Sequence, residues 1–260
     1  MIQAIQARLL ERMAARKDFS LTLLNVANAE SKSKSSEYLD AMGRMFAIRN
    51  VVKKVVEHSS PVDTILAEAQ KNYDLLVLGA TDTVSRKDVV FTSIVDYLVR
   101  TSPCATMVVQ VQQKFEQWSP KRILVPTNGT AAARQAAEFA FFLISNKDEE
   151  VTLLNVVAPP SRKEFPSVKT DLAIHQFGSA YQIVDELRQV GEMLDIATNA
   201  EVVQSHQPEK AIVSFAKKHK MDLIVLGTHL RSGSTRFFLG PKVETILNTA
   251  PCPVIVINSF

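Results

Sequence analysis

The sequence has no apolar run approaching the roughly 18–20 residues that a membrane span needs. Its opening residues, MIQAIQARLLERMAARK, are too charged and too short in apolar length to form the core of a signal peptide. Cysteine is scarce: Cys104 and Cys252 each follow a proline just ahead of an apolar run. Two such thiols make a poor disulfide framework and fit a reducing cytoplasm, where both are expected to be buried. The five histidines (His58, His175, His206, His219, His229) show no metal-ligand spacing, and neither HExxH nor CxxC occurs. No metal is expected and catalysis has little support. Net charge is +3, too mild to signal nucleic acid. The one tryptophan, Trp118, lies between two apolar stretches and reads as packing across a junction rather than as a ligand contact.

What is present is an internal repeat in a chain of 260 residues, long enough for two ordinary domains. Residues 21–27 (LTLLNVA) match 151–157 (VTLLNVV) at a spacing of 130. Residues 74–79 (DLLVLG) match 222–227 (DLIVLG) at 148, and 102–109 (SPCATMVV) match 250–257 (APCPVIVI), also at 148. The loop between the last two pairs is therefore equal in length in both halves, although its residues diverge. Its geometry reads as constrained.

The second half gives a strand at 122–126 (RILVP), a turn at 127–130 (TNGT) and a helix at 131–145. A strand at 151–157 and a long loop at 158–179, with Pro159, Pro160 and Pro166, come next. Then follow a helix at 180–195, a strand at 200–205, a helix at 209–219 behind Pro208, a strand at 222–226, a helix at 242–248 and a strand at 254–257. Short apolar strands alternating with helices make an α/β domain with a parallel sheet covered on both faces. The first half repeats this order, but its opening helix aligns with 132–142, so its first strand is missing. A parallel sheet without its central strand leaves backbone groups unpaired on two neighbours. The chain reads as a fragment, or another segment fills that slot. The domains are 1–111 and 121–260, joined by 112–120 (QQKFEQWSP).

The stretch 227–244 (GTHLRSGSTRFFLGPKVE) follows a strand and precedes a helix, and 79–96 (GATDTVSRKDVVFTSIVD) does the same. Strand, glycine-containing loop and helix start is an arrangement that aims backbone N–H groups and a helix dipole at a phosphate.

The second half resembles the universal stress protein family, through RILVPTNGT (122–130), DLIVLGTHLRSGSTRFFLG (222–240) and APCPVIVI (250–257). The first half carries the pattern more weakly, in DLLVLGA and SPCATMVVQV. The resemblance implies two tandem flavodoxin-like α/β domains, each on a parallel five-stranded sheet of order 3-2-1-4-5, the first lacking its first strand. It implies that the halves pair through their last strands within one chain, with a homodimer as a further assembly to be tested. Two segments, 233–259 (GSTRFFLGPKVETILNTAPCPVIVINS) and 87–99 (KDVVFTSIVDYLV), are also similar to cytoplasmic tails of bacterial cation/proton antiporters. That likeness implies a transmembrane transporter domain as a partner.

The family's nucleotide-binding members use an acidic residue after strand 1 and Gly-two-Gly-nine-Gly-Ser/Thr after strand 4. Here Asn128 stands for the acid, and its amide can still meet a ribose hydroxyl. Gly227 and Gly240 are kept, but Leu230 replaces the second glycine and Pro241 the hydroxyl residue. Arg231 and Arg236 can compensate through charge, although loop arginines are commonly just solvated. The implied nucleotide-binding set is Pro126, Thr127, Asn128, Val157, Leu226, Gly227, Leu230, Arg231, Gly240 and Lys242. The first half offers Gly79, Thr92 and Ser93, with Asp82 at the second glycine position, and Ser93 is equally a plain helix cap. ATP or AMP is the implied ligand.

Three functions compete. One is a non-catalytic regulatory module sensing an adenine nucleotide on an antiporter tail. The second is a structural or dimerising module with degenerate pockets. The third is a free-standing stress protein with weak ATPase activity. His229 reads as a polar loop residue, and the sequon Asn128-Gly129-Thr130 as a strand-to-helix turn.

Overall fold

The computed structural model describes residues 2–15, 19–27, 32–45, 48, 50–80, 93–111, 118–159, 166–228 and 241–258. They form two compact units, 1–109 and 110–259.

Unit 1 runs α1 (Ile2–Ala14), β1 (Leu21–Ala27), α2 (Lys32–Met45), β2 (Val51–Glu57), α3 (Pro61–Ala69), β3 (Leu75–Ala80), α4 (Ser93–Thr101) and β4 (Ala105–Gln110). In α1, Ile5, Leu9 and Met13 recur every four residues and are buried, a single apolar stripe. Helix α3 starts where Ser60 Oγ accepts from the Asp63 N–H at 3.3 Å and Pro61 takes the first helical position. Strands β1 and β2 pair in parallel, from Leu21 opposite Val51 to Ala27 opposite Glu57. They form a two-stranded sheet of their own, and β3 has β4 as its sheet neighbour.

Unit 2 runs β5 (Arg122–Pro126), α5 (Ala131–Leu143), β6 (Glu150–Val157), α6 (Pro166–Met193), β7 (Ala197–Gln204), α7 (Pro208–Lys218), β8 (Leu223–Thr228), α8 (Pro241–Thr249) and β9 (Val254–Asn258). Its strands lie in the order β7-β6-β5-β8-β9. Every one of these pairings is parallel. Ile123, Leu124 and Val125 of β5, and Leu223, Ile224 and Val225 of β8, have no exposure at all. Unbroken apolar runs are what strands covered on both faces require. Each such side chain contributes about 1.5–3 kcal/mol by leaving water. Helix α5 packs on β5 and β8, and α6 packs on β6 and β7.

One expectation is corrected. The stretch 158–179, read as a loop, is helical from Pro166 onward, and α6 runs to Met193. Pro166 takes the helix start, where a missing N–H goes unused, so it opens the helix instead of breaking it. The chain then leaves α6 through Asp195 at φ 57, with the Ile196 N–H donating to Gly191 O at 3.0 Å. Strand β7 begins at Ala197 rather than at residue 200. Trp118 is buried within unit 2, its indole N–H donating to Asp222 O at 2.8 Å. Among the described residues no helix is long and apolar enough to cross a membrane.

Candidate functional site

Strand order reverses between β5 and β8. The chain leaves β5 toward β6 and β7, then returns to β8 on the other side. Ligands in open parallel sheets sit outside the carboxyl ends of strands at such a reversal.

The turn after β5 is held by its own side chains. The Thr127 N–H donates to Leu154 O at 2.9 Å, tying the turn to β6. Asn128 Oδ1 accepts from the Thr130 N–H at 3.3 Å and from Thr130 Oγ1 at 2.8 Å. Thr130 Oγ1 in turn accepts from the Ala133 N–H at 3.4 Å and caps α5. Gly129 sits at φ 81, the left-handed region that glycine enters without strain. With its oxygen engaged in the turn, Asn128 has its carboxamide nitrogen, a donor, to offer a ligand.

Beside this turn lies a cavity of about 430 Å³, within the range of small-molecule sites. Asn128 lines it from the turn, and Asn155 and Val157 line it from β6, with Ala158 just after. Helix α6 supplies His175, Ser179, Ala180 and Ile183. The lining joins apolar surface from Val157, Ala180 and Ile183 to polar groups from Asn128, Asn155, His175 and Ser179. That lining offers a small molecule both apolar contact and hydrogen-bonding groups.

On the other side of the reversal, β8 ends at Gly227 and Thr228. A Cβ on Gly227 would lie 1.8 Å from Ala132 O and 2.3 Å from Ala132 C. The backbone of α5 therefore rests directly on Gly227. This glycine has a packing reason to be there, whatever it does for a phosphate.

Of the residues singled out from sequence, the cavity brings together Asn128 and Val157. Pro126 closes β5, Thr127 is buried beneath the turn, and Leu226 is a core residue at 4% exposure. Lys242 is exposed in the first turn of α8, directly after Pro241 at the helix start. In unit 1, Gly79 lies in β3 and Ser93 is the first residue of α4. Leu230, Arg231, Arg236, Gly240, His229, Asp82 and Thr92 lie outside the described residues. Sequence reasoning missed Asn155, His175, Ser179 and Ile183. Asn155 carried a signal: it is a polar residue inside an apolar strand, and Asn25 repeats it at the matching place in the first half.

Neither cysteine is poised as a nucleophile in this setting. Both are buried and free. Burial, with a smaller push from the Asp222 charge, raises the Cys252 thiol to about 12. Among the described residues no group of His, Cys, Asp or Glu is placed to hold a metal ion.

The profile described as "Universal stress protein family" matches residues 5–110 and 120–258, nearly the whole chain in two copies. The chain belongs to the universal stress protein family. Among its curated relatives is "Universal stress protein MJ0531" of Methanocaldococcus jannaschii, 29% identical over 140 residues, covering 53% of this chain and 82% of the relative. "Universal stress protein E homolog" of Haemophilus influenzae is 25% identical over 215 residues, covering 78% of this chain and 68% of the relative. Among solved structures, a universal stress protein from Archaeoglobus fulgidus DSM 4304 superposes with a TM-score of 0.64. It is 18% identical and the match covers 97% of this chain and 91% of that one, so it speaks to the fold. The α/β universal stress protein fold, in tandem, is thus established for this chain.

Proposed function

We propose that this tandem universal stress protein is a non-catalytic regulatory module whose second unit senses an adenine nucleotide, ATP or AMP. The observation that carries the reading is the cavity at the carboxyl ends of β5 and β6, where Asn128 meets the polar and apolar wall supplied by β6 and α6. The base enters between Val157 and Ile183, and its polar edge meets Asn155, Ser179 or His175. Asn128 takes the ribose. The phosphates extend toward the N-terminus of α8, where Lys242 and the partial positive charge of the helix end favour them. Residues 112–120 serve as the linker, and unit 1 has the same plan without its first strand. Similarity of 233–259 and 87–99 to antiporter tails supports attachment to a cation/proton antiporter, with nucleotide occupancy setting transport.

Thermal melting of the purified chain with and without ATP or AMP tests the binding reading. A rise in melting temperature that grows with nucleotide concentration is expected. No shift at millimolar nucleotide contradicts it. For the transporter reading, an antiporter carrying this chain as its tail should change its flux with nucleotide, and a flux indifferent to nucleotide counts against it.

A second reading is a structural or dimerising module. It is favoured by Gly227, whose presence the contact with Ala132 explains without any ligand. It predicts that nucleotides leave the chain unchanged while deletion of β9 destroys assembly.

A further inference from the structure

Asn155 stands inside an apolar strand. Its neighbours in β6 are Leu153 and Leu154, both fully buried, and Val156 and Val157. Strand β6 lies between β5 and β7, where a parallel strand covered on both faces favours apolar, β-branched residues. Asn155 is nonetheless only 5% exposed, so a whole carboxamide has been taken out of water. Among the described residues nothing hydrogen-bonds to that carboxamide. A buried amide left unpaired costs stability, so the residue carries a penalty that the fold does not offset.

Side chains alternate along a strand, so Asn155 and Val157 share one face. That face looks at α6, and both residues line the cavity opposite Ser179 and Ile183. The unpaired carboxamide therefore meets whatever occupies the cavity. It is neutral, with a donor and an acceptor side by side and no protein partner to fix which comes first. A phosphate, all acceptor and charged, matches it poorly. A ligand edge with a donor beside an acceptor matches it well, and adenine has such an edge in its N6 amino group and the adjacent ring nitrogen. The other polar groups of the wall do not enforce that choice. Asn128 has its oxygen engaged by Thr130 and offers only a donor. Ser179 is exposed, and its hydroxyl turns to suit either kind of group.

Resting on the reading of this cavity as an adenine nucleotide site, we propose that Asn155 is the specificity-determining residue that reads the base. Its oxygen accepts from the N6 amino group and its nitrogen donates to the neighbouring ring nitrogen. A base without the amino group leaves the carboxamide oxygen buried and unpaired, and a site built to hydrogen-bond a group rejects the analogue that lacks it.

The test is isothermal titration of the full chain with ATP and with purine riboside 5′-triphosphate, which carries hydrogen in place of the 6-amino group. The parent is expected to bind ATP tighter by about tenfold. Asn155→Val is expected to bring the two ligands within about threefold of each other, by weakening ATP. Where the valine obstructs the cavity and abolishes both, Asn155→Ala, a smaller side chain than asparagine, is read in the same way. Replacing an unpaired buried amide by a strand-favouring apolar residue is also expected to raise the melting temperature of the nucleotide-free chain, followed by Trp118 fluorescence. An asparagine kept for structure would lower it. Equal affinities in the parent, an ATP preference that survives both replacements, or a lower melting temperature for Asn155→Val overturns the proposal. If the parent binds neither triphosphate, the nucleotide reading beneath it fails instead.

Discussion

A Cβ added to Gly227 would stand 1.8 Å from the carbonyl oxygen of Ala132, a distance no folded protein tolerates. The clash is with helix backbone, so no side-chain rotation relieves it. Gly227→Ala is therefore expected to push α5 off β8 and destabilise unit 2 by about 3 kcal/mol. Fluorescence of Trp118, the single tryptophan, which is bonded to Asp222, reports unit 2 during denaturant unfolding. An unchanged midpoint would contradict this packing.

The turn before α5 depends on Thr130, which caps the helix and also holds Asn128. Thr130→Ala is expected to lower stability by about 1 kcal/mol. Nucleotide affinity should fall as well, because Asn128 loses its anchor. Loss of stability with unaltered affinity would separate Asn128 from the site.

In unit 1, Glu68 is a buried carboxylate at 8% exposure. It accepts from Lys54 Nζ at 2.5 Å, from Lys71 Nζ at 2.9 Å and from the Tyr73 hydroxyl at 2.7 Å. These bonds, that from Lys54 first, hold the Glu68 carboxyl down at about 2, against an ordinary value of 4.5. The folded value is the lower one, so the stabilisation is complete above pH 4.5 and is lost as pH falls toward 2. Glu68→Gln should lower the melting temperature at pH 7 and flatten the decline of unit 1 stability between pH 4.5 and 2. Melting curves at several pH values check both. A variant as stable as the parent at pH 7 would mean that the cluster contributes nothing.

The stretch 227–244 departs from the phosphate pattern that the family resemblance implies at Leu230 and Pro241. Restoring it with Leu230→Gly and Pro241→Ser should strengthen nucleotide binding about tenfold, the worth of one or two added backbone and hydroxyl contacts. Titration of the double variant beside the parent decides it, and equal affinity would count against a phosphate role for this stretch.

Much of the fold could be read directly because the chain repeats itself. The matched runs 21–27 and 151–157 lie within β1 and β6, and 222–227 overlaps β8. The candidate site was legible on one side only. Asn128 and Val157 belong to a turn and a strand end, features that short motifs reveal. The facing wall belongs to α6, whose start was hidden by three prolines between 159 and 166 that read as loop. His175, Ser179 and Ile183 are spaced four apart and share a face only once that stretch is helical. Leu226 enters the implied set through the family resemblance alone, and its side chain lies in the core at 4% exposure.

The central claim is that the cavity between β6 and α6 is a nucleotide site. Isothermal titration of the full chain with ATP and with AMP tests it, beside the variant Ile183→Trp, whose indole fills the space next to Gly129. The account predicts measurable heat with at least one nucleotide for the parent chain and none for Ile183→Trp. No heat from the parent, or the same affinity in both, would contradict it.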